Sequence, residues 1–117
     1  MAKGSVDKFV NKCKNLFRGR RTEYRVVMTF QGRSMSRIVI DQHYRDRHHE
    51  SIDDELILDL VQTQNGAYYF PVSTQGDFEF FKIEPVVWKL KSYRLILLVC
   101  QSEDYVGVVN AFRVETL

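Results

Sequence analysis

Tyr93 to Cys100, YRLILLVC, most restricts what this 117-residue chain can become. Arg94 is its only charged residue, so the run has no polar face to turn toward water. A strand of this kind has to be covered on both sides and lie inside a sheet. Ser102-Glu103-Asp104 reads as the turn that follows, and Tyr105 to Val114 then alternates. Val106, Val108, Phe112 and Val114 share one face with Asn110, and Tyr105, Val109 and Arg113 share the other. Upstream, Tyr68 to Val72 predicts a short strand broken by Pro71, and Ser73 to Asp77 a loop. Phe78 to Ile83 predicts another strand ending at Pro85, with a short strand or edge over Val86 to Leu90.

The first half of the chain has a different period. Tyr24, Val26, Met28 and Phe30 alternate, Gln31 to Ser34 reads as a turn, and Met35 to Ile40 returns, which predicts a hairpin. Asp41 then suits the cap of a helix carrying His43, Arg45 and Arg47. Ser51 suits the cap of a second helix, with Asp53, Asp54 and Glu55 in its first turn, where acids favour the positive helix end. Ile52, Leu56 and Leu60, with Ile57 and Val61, give that helix an apolar face, and Asn65-Gly66 would stop it.

Charge is unevenly placed. Residues 1–21 hold seven basic side chains, against the single acid Asp7, while the whole chain has a net charge of only +2. Within them, Val6, Phe9, Val10, Cys13, Leu16 and Phe17 fall at helical spacing, and Gly19 ends the stripe. The expectation is a basic amphipathic helical extension, 1–21, ahead of a single domain, 22–117. The fold class expected is α+β: an N-terminal helix and hairpin, then two central helices packed on an antiparallel sheet. Lys8, Lys12, Arg18, Arg20 and Arg21 of the extension, with Arg45, are candidates for contact with nucleic acid or other anions. The stripe 5–18 would equally dock on the domain, on a protein partner or on an anionic membrane surface.

Two cysteines, Cys13 and Cys100, match neither a metal site nor a disulfide framework, and fit reduced thiols in a cytoplasmic protein. The N-terminus lacks an uninterrupted apolar run, so no secretory signal is expected. No stretch approaches the roughly 18 apolar residues of a membrane span.

His43 and Arg47 are four residues apart and would share one helix face. An imidazole that titrates near neutrality beside a guanidinium that grips phosphate in two places suits RNA cleavage, although such pairs also decorate solvated helix faces. His48 and His49, with Asp41, Asp46 and Glu50, match no standard ligand set, so no metal is expected. Lys82, Arg94 and Arg113 stand alone in apolar strands and would either contact an anion or pair with a neighbouring acid. Glycine-rich phosphate loops, serine elbows and zinc spacings are absent, and no small-molecule cofactor is expected.

Residues from about 37 to 114 resemble the barnase–EndoU–colicin–RelE-like nucleases. The resemblance rests on IVIDQHYRDR with its His-x-x-x-Arg spacing, on SIDDELILDLV, and on YRLILLVCQSEDYVGVVNAFRV. It implies a toxin-like ribonuclease domain in which two helices precede an antiparallel sheet. By position, His43, Arg47, Arg94 and Asn110 or Arg113 would line its cleft. The function expected is a metal-independent ribonuclease-like toxin or effector. His43 would be acid or base, and Arg47 with Arg94 or Arg113 would hold the phosphate. RNA, a cognate inhibitor or another protein would be its partner. The alternative is a non-catalytic module that docks a protein partner or anionic membrane through its basic N-terminal helix.

Overall fold

The computed structural model describes residues 21–41 and 52–114. They form six strands and one helix: β1 (Arg21–Phe30), β2 (Arg33–Asp41), α1 (Asp54–Gln62), β3 (Ser73–Gln75), β4 (Phe78–Trp88), β5 (Lys91–Cys100) and β6 (Tyr105–Val114). The strands make a single sheet in the order β1-β2-β6-β5-β4-β3. β2 and β6 run parallel, and every other neighbouring pair is antiparallel.

The expected helix-rich α+β fold on an antiparallel sheet is therefore corrected to a mixed six-stranded sheet carrying one short helix. The anticipated hairpin and meander are not separate bodies. They join edge to edge where Ile38 and Ile40 of β2 lie beside Val106 and Val108 of β6. All four are fully buried, so the joint buries on one face two apolar rows that would otherwise be split. The expected N-terminal helix, 5–18, and the first central helix, with His43, lie outside the described residues. Asp41 is the last residue of β2 rather than a helix cap.

β1 and β2 are joined by Gln31 and Gly32, with φ of 58° and 72°. Two left-handed residues give the turn whose twist matches a two-residue hairpin, which is why glycine fits here. The β4–β5 turn has the same geometry without glycine, at Lys89 (φ 50°) and Leu90 (φ 69°).

Helix α1 starts at Asp54, later than the Ser51 cap predicts. Asp53 is the cap: its carboxylate accepts from the Leu56 N–H at 2.9 Å. Ile57, Leu60 and Val61 turn into the sheet. There they meet Phe30, Ile38, Ile40, Phe81, Leu95, Leu97 and Val99 in the main core. Phe30 and Phe81 meet edge to face, with centroids 5.4 Å apart.

β5 is internal, between β4 and β6, as its apolar run predicts. Three other strand predictions change. Tyr68 to Val72 is not a strand, whereas Ser73–Gln75, expected as a loop, is the edge strand β3. Phe78 to Trp88 is one strand, with a register shift between Ile83 and Val86. Pro85 sits within that shift, where β3, paired only with Phe78 to Phe80, no longer lies alongside.

Candidate functional site

β1 starts and β2 ends beside the middle of β6: Arg21 pairs with Asp41, and Ile40 with Val108. β6 runs on past them to Val114, which pairs with Ser92 near the start of β5. Tyr24 of β1 donates to the Asp54 carboxylate at 2.6 Å, fixing the helix N-terminus against β1. Beside it, a cleft of about 280 Å³ is lined by Asp53, Glu55, Leu56 and Asp59 of the helix and by Trp88, Lys89, Lys91 and Tyr93. The Lys89 ammonium lies 5.7 Å from the Trp88 ring centroid.

Arg94 and Arg113 are one residue apart in register, and the sheet sends them to opposite faces. Tyr93 pairs with Arg113, and Arg94 with Phe112. Tyr93 belongs to the helix-side core, so its partner Arg113 projects on that side. Arg113 is exposed and has no ion-pair partner among the described residues.

Arg94 is committed elsewhere. Its Nε lies 2.6 Å from Glu84 Oε1 and its Nη2 3.2 Å from Oε2, a two-pronged grip. Its guanidinium also covers the Phe112 ring at 5.5 Å. The hydrogen bonds from Arg94 hold the Glu84 carboxyl below its ordinary range and raise Arg94 in return. Arg94 and Arg113 therefore cannot converge on one phosphate. Asn110 pairs with Ile96 on the Arg94 side.

His43, Arg45 and Arg47 lie outside the described residues, as do Lys8, Lys12, Arg18 and Arg20. Arg21, assigned by composition to the extension, opens β1, and its Nε is 3.8 Å from Glu23.

Two other arginines carry structural work that composition does not announce. Arg37 reaches Glu23 at 3.0 Å, Asp104 at 3.0 Å and Glu103 at 3.5 Å, with its guanidinium 5.4 Å from the Tyr105 ring centroid. Hydrogen bonds to Asp104 and then Glu23 raise its pKa. Asp104 is lowered, first by the hydroxyl of Ser36 and then by Arg37. Arg33 donates to the carbonyls of Cys100, Gln101 and Glu103, closing the β5–β6 turn.

A separate apolar surface forms where no strand was found. Tyr68, Phe70 and Val72 are 71%, 90% and 63% exposed. The Gln31 side chain anchors this segment as a strand would, donating to the Tyr69 carbonyl and accepting from the Tyr69 N–H, each at 2.7 Å. With Arg33, Glu79 and Gln101 the segment borders a groove of about 380 Å³. The signal that could have found it is the run of aromatic residues around Pro71, which has no alternation to bury.

Among the described residues no group of three or more His, Cys, Asp or Glu is placed to hold a metal ion. No helix among them is long and apolar enough to cross a membrane. The chain matches no family model, and no curated protein or solved structure resembles it significantly.

Proposed function

We propose that this domain is a metal-independent ribonuclease acting on the helix side of the sheet, near the end of β6 and the start of α1. The observation that carries the reading is Arg113: an exposed guanidinium, unpaired among the described residues, on the helix side of the sheet near the end of β6. Attack by a ribose 2′-hydroxyl on the adjacent phosphate needs a proton acceptor, a proton donor and charge opposite the phosphoryl oxygens. His43 would exchange the protons. Arg47 and Arg113 would hold the phosphate, with Lys91 on the rim. Arg94, spent on Glu84, would have no chemical role. Lys8, Lys12, Arg18 and Arg20 would add salt-sensitive attraction to the RNA backbone. RNA as substrate suits action in the cytoplasm, where a cognate inhibitor would act by covering this rim.

The test is cleavage of a defined transcript in EDTA. His43→Ala should lower the rate by roughly 10²–10⁴-fold, the usual contribution of an acid–base group. Arg47→Lys should recover only part of the activity lost in Arg47→Ala, because the two-pronged geometry is gone. Equal cleavage by wild type and His43→Ala would sink the mechanism. A non-catalytic protein-docking role is favoured by the exposed Tyr68–Val72 segment. Intact RNA after incubation with folded wild-type protein would put that role in first place.

A further inference from the structure

The sheet has a second apolar cluster, on the face away from α1. Val39, Phe78, Leu98 and Cys100 form it, with Phe80, Tyr105 and Val109 packed around them. Every one of these side chains comes from a strand, and α1 contributes only to the other face. Leu98 is nevertheless 0% exposed and Val39 3%. Gly107, which pairs with both, is buried as well. Side chains on a sheet stand roughly perpendicular to it, so neighbours in the same sheet shield their flanks and not their tips. A leucine with no exposed surface on such a face needs a covering layer.

We infer that residues 5–18 of this same chain are that layer. They would lie across β2, β6, β5 and β4 as an amphipathic helix, with Val6, Phe9, Val10, Cys13, Leu16 and Phe17 turned onto the cluster. The dimensions agree. Fourteen helical residues extend about 21 Å, and four adjacent strands span about 14 Å. The tether agrees too: residues 1–20 lead into Arg21, which opens β1 beside β2, and Gly19 would allow a reversal. The lysine side then becomes an outer basic surface of the domain.

The chain's only two cysteines report on the two halves of this contact: Cys13 in the stripe and Cys100 in the cluster. Purified full-length protein is treated with a maleimide, and the labelling rate at each cysteine is followed by peptide mass spectrometry. Both thiols should react at least about tenfold slower than a free thiol, equally at low and high protein concentration. Phe9→Asp should release both together, whereas Lys12→Gln, on the outer side, should release neither. Free reaction of Cys13 in wild-type protein would overturn the inference, and needs no variant to be observed. Protection of Cys13 that disappears on dilution would also overturn it, by assigning the cover to a second copy. So would protection of Cys100 that persists in folded Phe9→Asp protein, since another segment would then be the cover.

Discussion

Leu97 and Leu98 are neighbours in β5, and neither exposes any surface, yet they belong to different interiors. Leu97 points toward α1 and packs in a cluster that draws on five strands and the helix. Leu98 points the other way, into a cluster whose members among the described residues are all strand side chains. Equal burial thus conceals unequal support. The helix-side face is closed by residues whose alternation and helical stripe are local and strong. The far face is finished by only a few apolar side chains and, on our inference, by the N-terminal stripe.

The largest effects should separate these two interiors. Leu97→Ala should cost about 2–5 kcal/mol of unfolding free energy in a urea titration, as deep leucine truncations do. Leu98→Ala should cost less, on the order of 2 kcal/mol, because the smaller cluster can relax around the gap. Equal losses at both positions would erase the distinction between the faces, and a loss below about 1 kcal/mol at Leu97 would mean that β5 is not central.

The two arginines across the same sheet sharpen the comparison chemically. Arg113→Ala, on the helix side, should lower RNA cleavage by roughly 10²-fold, the typical effect of removing one donor to developing charge, with thermal stability unchanged. Arg94→Ala, on the far side, should do the reverse: cleavage stays near wild type while the melting temperature falls slightly. Loss of activity in Arg94→Ala with unchanged folding would move the site to the other face.

The smallest effect should appear in acid. Glu84 and Asp104, both on the far side, have carboxyls lowered from ordinary values of 4.5 and 3.8 by Arg94 and by Ser36 with Arg37. Groups lowered in the folded state contribute stability that is full above those ordinary values and is lost as pH falls through the depressed ones. Both carboxylates are exposed, so the expected loss is shallow. Comparing melting temperatures at pH 7 and pH 3 should show a smaller acid-induced drop in Glu84→Gln than in wild type. An identical drop would mean that the Glu84–Arg94 pair adds nothing to stability.

Much of this fold is legible in the chain wherever alternation is local. Tyr24 to Phe30, Met35 to Ile40 and Tyr93 to Cys100 all declare themselves by apolar period, and Ile57, Leu60 and Val61 by helical spacing. The parallel joint of β2 and β6 is not legible, because it depends on which of several apolar edges meet and no local spacing encodes that. β3 is missed because Ser73, Thr74 and Gln75 are exposed and have no apolar alternation to show. Arg113 is legible as an isolated base, but the withdrawal of Arg94 depends on Glu84, ten residues away across a register shift.

The parallel joint also sets an order of events. β1–β2 and β4–β5–β6 are built from short-range hairpins, which close in microseconds. The joint between them spans only four paired residues, and its flanking contact joins Ser36 to Asp104, 68 positions apart. Closing so long a loop has an entropic cost that has to be met as this seam forms, so seam formation should govern the folding rate. Substitutions at Ile40 or Val108 should therefore slow refolding more than equally destabilising ones at the tip of either hairpin.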